Sequence, residues 1–223
     1  MRLVYYDLNF TADIDRGCLY SIVLEQAYVF ERFLVKLHGQ LNKENTAFSL
    51  SEKENDLDLV KCCDLVTTTF DLTFGKKEIT RKLFAELETV AQAQGLTEEL
   101  SEIYSNLFEL LDRLRFAADY DIEYTSDYSI LDVMKHSGVH IAEPKGSYAE
   151  KLIEYIVVMN RLLKKVFFVI ANCSSYLGLD DYRHIEKTAE YYDLCIVFVE
   201  NKQLGLPNMK KEYIIDMDLC EIR

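Results

Sequence analysis

The chain has 223 residues, 49% hydrophobic and 28% charged, proportions ordinary for a soluble globular protein. Two prolines and eight glycines argue against a loop-rich all-β design, and the apolar stretches are too short or too interrupted by charge to span a bilayer. A formal charge of −13, from 38 acidic and 25 basic side chains, excludes a uniformly basic nucleic-acid binder but leaves open an acidic protein with one basic face.

In chain order, Arg2 to Tyr6 and Tyr20 to Leu24 read as short strands. The N-terminal stretch lacks the long apolar region of a signal peptide. Glu25 to Leu41 places Tyr28, Phe33, Leu34 and Leu37 along a helix. A strand is expected around Ala47 to Leu50, and another in the second half of Leu57 to Phe70, where Thr67, Thr68 and Thr69 are β-branched. Residues 78–94 set Ile79, Leu83, Leu87, Val90 and Ala91 on one helical face, and Gly95 is placed to end it. Thr97 is positioned to cap the next helix, the clearest in the chain. Leu100, Ile103, Tyr104, Leu107, Leu110, Leu111 and Leu114 recur there at spacings of three and four, a stripe that needs a partner surface. Either the neighbouring helices or a second subunit can supply it.

A short helix carries Ile130, Leu131, Val133 and Met134, and a longer one runs from Tyr148 to Leu163. Val166 to Ala171 and Leu194 to Val199 are apolar without alternation, separated by a loop and a helical segment. That is the pattern of a strand–helix–strand crossover between central parallel strands. Tyr213 to Asp216 reads as a last strand. The expected organisation is an α/β head from residues 1–75 and 148–223, with a mainly parallel, nucleotide-binding-like sheet, interrupted by an α-helical insertion over 76–147. Six cysteines without a CxxC pair read as free thiols in a reducing, cytoplasmic compartment.

A phosphate-binding loop needs glycines, a lysine and a hydroxyl. The nearest stretch, Gly75-Lys76-Lys77, has Phe70 at the first glycine position and Lys77 at the hydroxyl position. Asn172 stands where an NTPase places its Mg²⁺-linked acid. Asp119, Asp121, Glu123 and Asp127 are the stronger chemical signal: alternate carboxylates on an extended segment point the same way and suit one hard cation. The same residues also read as a solvated loop whose Ser126 or Asp127 caps the next helix. His136 and His140 are separated by the helix-breaking Gly138. Glu200-Asn201-Lys202 superficially resembles a nuclease acid–x–lysine arrangement but is read as lying beyond its strand. Ser174-Ser175 lacks the flanking glycines of a nucleophile elbow. Basic groups gather at Lys76, Lys77, Arg81 and Lys82, and at Arg161, Lys164 and Lys165. These patches are too small to hold duplex DNA in one copy, and a symmetric oligomer would multiply them.

The order and spacing of several segments resemble the small adaptation proteins of type II-A CRISPR systems. These are Ile22-Val23-Leu24-Glu25 with Val29-Phe30; Asp121-Ile122-Glu123-Tyr124 with Ser129 to Lys135 and Gly138-Val139; Leu162 to Lys165 with Phe168 to Asn172; and Leu194 to Glu200. The resemblance implies a head without working phosphate chemistry, a helical leg, and a homotetrameric ring threaded onto double-stranded DNA ends. It implies Ca²⁺ at Asp119, Asp121, Glu123 and Asp127, holding leg against head, and a non-catalytic role in spacer acquisition beside the integrase proteins and the guide-directed nuclease. The resemblance assigns no individual residue to the hole; the DNA-binding candidates among the basic groups of this chain are Lys76, Lys77, Arg81, Lys82, Lys135, Lys164 and Lys165. The alternatives are a degenerate P-loop-like nucleotide-binding protein or NTPase, and an oligomeric scaffold that binds only proteins.

Overall fold

The structure, a computed structural model, describes residues 1–127, 129–206 and 209–222, without the side chain of Thr69. In chain order the elements are β1 (Arg2–Tyr5), β2 (Phe10–Asp13), β3 (Cys18–Leu24), α1 (Ala27–Leu41), β4 (Phe48–Glu52), β5 (Asn55–Leu57), α2 (Leu59–Cys62) and β6 (Cys63–Val66). Next come α3 (Lys77–Ala93), α4 (Leu96–Ala117), α5 (Ile130–His136) and α6 (Tyr148–Leu163). They are followed by β7 (Phe167–Ala171), α7 (Leu179–Tyr192), β8 (Cys195–Glu200), β9 (Met209–Ile215) and β10 (Glu221–Ile222). Two compact units result: Met1–Thr73 with Glu143–Arg223, and Phe74–Ala142.

The first unit is built on a six-stranded sheet ordered β10-β9-β3-β8-β7-β6, parallel except for the β10–β9 pair. Every residue of β7 and β8 is buried, so both faces of these strands are covered. Alternation sends Phe167, Val169, Cys195, Val197, Tyr20 and Ile22 into one core, shared with Phe33 and Leu37 of α1. Leu3, Tyr5, Phe10, Phe48 and Leu50 join the same core from a four-stranded antiparallel sheet ordered β2-β1-β4-β5. The opposite face carries Phe168, Ile170, Ile196 and Phe198, covered by α6 and α7. There Tyr182 meets Phe198 edge-on at 5.1 Å, and the Tyr155 hydroxyl donates 2.8 Å to Asp64 of β6. One layer on that first face is therefore a second sheet.

Local chemistry accounts for several departures from the sequence-based expectation. Thr67 to Thr69 do not extend a strand. Asp58 caps the single turn of α2, β6 ends at Val66, and Thr68 forms a capping box with Asp71. Thr97 does not cap α4. The left-handed Gly95 precedes Leu96, and Thr97 already lies in the first turn. Neither Ser126 nor Asp127 caps α5; Ser129 does, reciprocally with Asp132. All six cysteines are unpaired, and burial pushes the Cys195 thiol up to about 12, so it stays protonated.

A bidentate pair ties the β2–β3 connection to β4. Arg16 Nε and Nη2 donate to the two Glu52 carboxylate oxygens at 2.7 and 2.9 Å. The hydrogen bonds from Arg16 hold the Glu52 carboxyl below its ordinary range. The unfolded chain therefore binds the proton more readily. The pair's stabilisation is complete above the ordinary carboxylate value and is lost as pH falls through the lowered folded value. Glu52→Gln should flatten this part of the acid limb when stability is followed by denaturant titration from neutral pH downward. An acid limb as steep as that of the unaltered chain would show that the pair contributes nothing.

In the second unit α3 packs against both α4 and α5. No residue of α4 is fully buried. Leu100, Tyr104 and Leu111 of the stripe are half-buried, whereas Ile103, Leu107, Leu110 and Leu114 are 62, 37, 47 and 57% exposed, so within this unit neighbouring helices cover only part of it.

Candidate functional site

The second unit gathers part of the expected basic set. Lys77 and Arg81 lie one turn apart on α3 and line a groove with Lys135 of α5. Gly75, Thr80, Phe84, Ala85, Glu88 and Leu131 complete this groove of about 480 Å³, which is mostly apolar inside with cations among its lining. Lys77 and Arg81 are exposed and make no ion pair among the described residues. Among the described residues Lys135 pairs only with Asp132, at 3.9 Å. Lys76 and Lys82 are exposed at the same end of α3 but do not line the groove. Lys164 and Lys165 belong to the α/β unit. Lys164 ends α6 in a left-handed conformation with its ammonium 2.9 Å from the Arg161 carbonyl, and Lys165 donates at 2.6 Å to the Val60 carbonyl.

The acidic segment bends at Asp119 and Tyr120, and its exposure alternates from Asp121 to Thr125. Ile122 and Tyr124 are half-buried, whereas Asp119, Asp121, Glu123 and Asp127 are exposed. Tyr124 is fixed to α4: its ring stacks on Phe108 at 5.9 Å and its hydroxyl donates 2.7 Å to Asp112. The four carboxylates form no ion pair or hydrogen bond among the described residues. Nor do any three His, Cys, Asp or Glu side chains there form a group able to hold a metal. The donors suit Ca²⁺ in hardness and charge, but a shell of six to eight oxygens needs further donors beyond this segment. His136 and His140 each bond a nearby backbone carbonyl instead, those of Asp132 and Gly138.

In an open α/β sheet, ligands bind outside the carboxyl ends of the strands where the connections diverge. Here that crevice lies at the ends of β3, β8 and β7. The connection from β3 to α1 is Glu25 and Gln26 alone, with no glycine and no room to wrap a phosphate. Gly75-Lys76-Lys77 follows no sheet strand directly, since β6 ends at Val66 and a 3-10 turn intervenes at Thr69–Asp71. A strand–loop–helix phosphate motif is therefore absent at both places.

The crevice instead holds a residue misplaced by sequence reasoning. Glu200 is the last residue of β8, inside the strand rather than beyond it, and is 1% exposed. Asn172, left-handed at φ 55°, turns the chain out of β7 and donates its N–H to the Val199 carbonyl at 3.0 Å. The next two amides, Cys173 and Ser174, donate to Glu200 Oε1 at 2.8 and 3.0 Å, and Ser174 Oγ donates to Oε2 at 3.1 Å. Burial, and then the nearby Glu200 charge, push the Cys173 thiol far above its ordinary range. The Tyr182 hydroxyl is also buried with no hydrogen-bond partner among the described residues, its ring packed on Phe198, two residues before Glu200. The one sequence signal was an acid closing an otherwise apolar run.

A mostly parallel sheet of this order, with a helical unit inserted in the chain, defines an α/β protein with a helical insertion. The chain belongs to the Cas_Csn2 family of CRISPR-associated proteins, whose family profile matches residues 40–219. It is 27% identical over 207 residues to CRISPR-associated protein Csn2 of Streptococcus agalactiae, covering 88% of this chain and 87% of that one. The fold is similar to the crystal structure of Stu0660 of Streptococcus thermophilus. The TM-score is 0.59 at 10% identity, over 89% of this chain and 68% of that one. Among the described residues no helix is long and apolar enough to cross a membrane.

Proposed function

We propose that this CRISPR-associated protein is a non-catalytic, Ca²⁺-dependent, ring-forming binder of double-stranded DNA ends that acts in spacer acquisition. The observation that carries the proposal is the placing of Lys77, Arg81 and Lys135 on one exposed surface of a chain whose net charge is −13. Repeated by symmetry, such a surface makes a basic lining inside an acidic body, suited to phosphates and indifferent to sequence. Lys76 and Lys82 extend it along α3, and Lys164 and Lys165 are further candidates from the α/β unit. Asp119, Asp121, Glu123 and Asp127 are the proposed Ca²⁺ ligands, their role being to order the connection from α4 to α5. The integrase proteins and the guide-directed nuclease are the proposed partners. The two-residue β3–α1 connection supports a non-catalytic reading over an NTPase.

Assembly has a candidate surface. Ile103, Leu107, Leu110 and Leu114 recur at intervals of four, three and four on the exposed face of α4, the spacing of a two-helix seam. Glu99 and Arg113, fourteen positions apart, flank it on one side, so antiparallel pairing with a second copy sets Glu99 of each beside Arg113 of the other. Leu107→Glu with Leu110→Glu should leave the chain folded and reduce its mass in sedimentation, because both positions are exposed in the single chain. Unchanged assembly would remove this seam from the ring.

A further inference from the structure

We infer that the turn after β7 is an oxyanion cradle kept closed by the chain's own Glu200, and that removing this carboxylate opens a site for a phosphate-sized anion. The inference is independent of DNA binding and of the basic groove. Its basis is the unusual company of a buried carboxylate. Among the described residues no basic side chain bonds Glu200; its partners are two consecutive backbone N–H groups and one hydroxyl, all from the Cys173–Ser174 turn. Consecutive amides that converge on one oxygen form the kind of concavity that binds phosphates in other proteins. The position is also the one where an open α/β sheet places its ligand.

A second feature points the same way. The Tyr182 hydroxyl, 2% exposed for the residue as a whole, has no partner among the described residues, and its ring packs at 5.1 Å on Phe198, two residues before Glu200 on the same strand. Buried hydroxyls are rarely left unpaired, and this one is a donor in reserve for an anion larger or differently placed than the Glu200 carboxylate. The cradle is filled from within by the last residue of β8, at the start of the connection to β9. Glu200 therefore clasps the β7–α7 turn to the end of β8. It also explains in physical terms how a nucleotide-like sheet excludes phosphate at this crevice: the site is already occupied by a tethered anion at very high effective concentration.

The test uses the full chain and inorganic phosphate. Glu200→Gly should melt at lower temperature than the unaltered protein in phosphate-free buffer, and added phosphate should raise its melting temperature by several degrees in a saturable way. The unaltered protein should show no such rise, and chloride at matched ionic strength should not substitute. A variant indifferent to phosphate, or an unaltered chain stabilised equally, would overturn the proposal. Should Glu200→Gly fail to fold, hydrogen exchange on the unaltered protein decides. The Cys173 and Ser174 amides should be protected as strongly as those of β7, and fast exchange at both would show that no clasp exists.

Discussion

Replacing Lys77, Arg81 and Lys135 together by alanine should weaken duplex DNA binding more than any other surface change of equal size. All three side chains are exposed, so the triple variant should keep its fold and its circular dichroism. Their contribution would come from phosphate neutralisation and counterion release. The slope of log affinity against log salt should therefore flatten by about 0.9 for each phosphate contact removed, roughly 3 units for one groove engaged by three cations. The loss should be uniform across sequences, because phosphates carry no base identity. Electrophoretic or anisotropy titrations at several salt concentrations give the slope directly. An unchanged slope would assign the groove, with its apolar floor of Phe84 and Leu131, to something other than DNA.

Phe198→Ala should have the largest effect on the fold itself. Phe198 is fully buried in β8 and packs its ring edge-on against Tyr182 of α7. Losing a buried phenylalanine costs about 3–5 kcal/mol, through the lost transfer energy and the cavity left behind. That is a large share of the roughly 5–15 kcal/mol available to a typical protein. The melting temperature should fall by roughly 6–20 °C for a chain of this size. Phe116→Ala, on a side chain 85% exposed, is the matched control and should change little. Similar shifts for the two would mean that the α7-covered face of the sheet does not hold the molecule together.

The parts of the fold legible in the sequence were those where one physical signal dominates. The run from Phe167 to Ala171 has no polar residue to expose, so only a strand covered on both faces satisfies it. Helix α6 keeps the bounds Tyr148 and Leu163 because two signals agree. Ser147 and Glu150 form a reciprocal capping box at one end, and Lys164 takes up a left-handed conformation at the other. The antiparallel sheet was only half visible. β2 and β5 are four and three residues long, too short for alternation to rise above the surrounding polar loop, and their pairing is decided by tertiary contacts with β1 and β4. Thr67 to Thr69 misled because threonine favours strands by shape, whereas Thr68 is used here for its hydroxyl.

The candidate sites divide in the same way. The i, i+4 relation of Lys77 and Arg81 is local and readable, while the addition of Lys135 needs α5 to pack against α3. Alternation in the acidic segment is local too, and Tyr124 on Phe108 and Asp112 now shows what holds the segment along α4. The clasp at Glu200 was hidden because it joins residues 27 positions apart, through backbone amides that no side-chain motif reveals.

A ring that threads over DNA ends must tell one duplex sequence in linear form from the same sequence covalently closed, and the comparison is made for each with Ca²⁺ and with chelator. Retention of the linear form in Ca²⁺ should be tight, and binding both to the circle and in chelator weak. Equal retention of linear and closed DNA would show that no threading occurs.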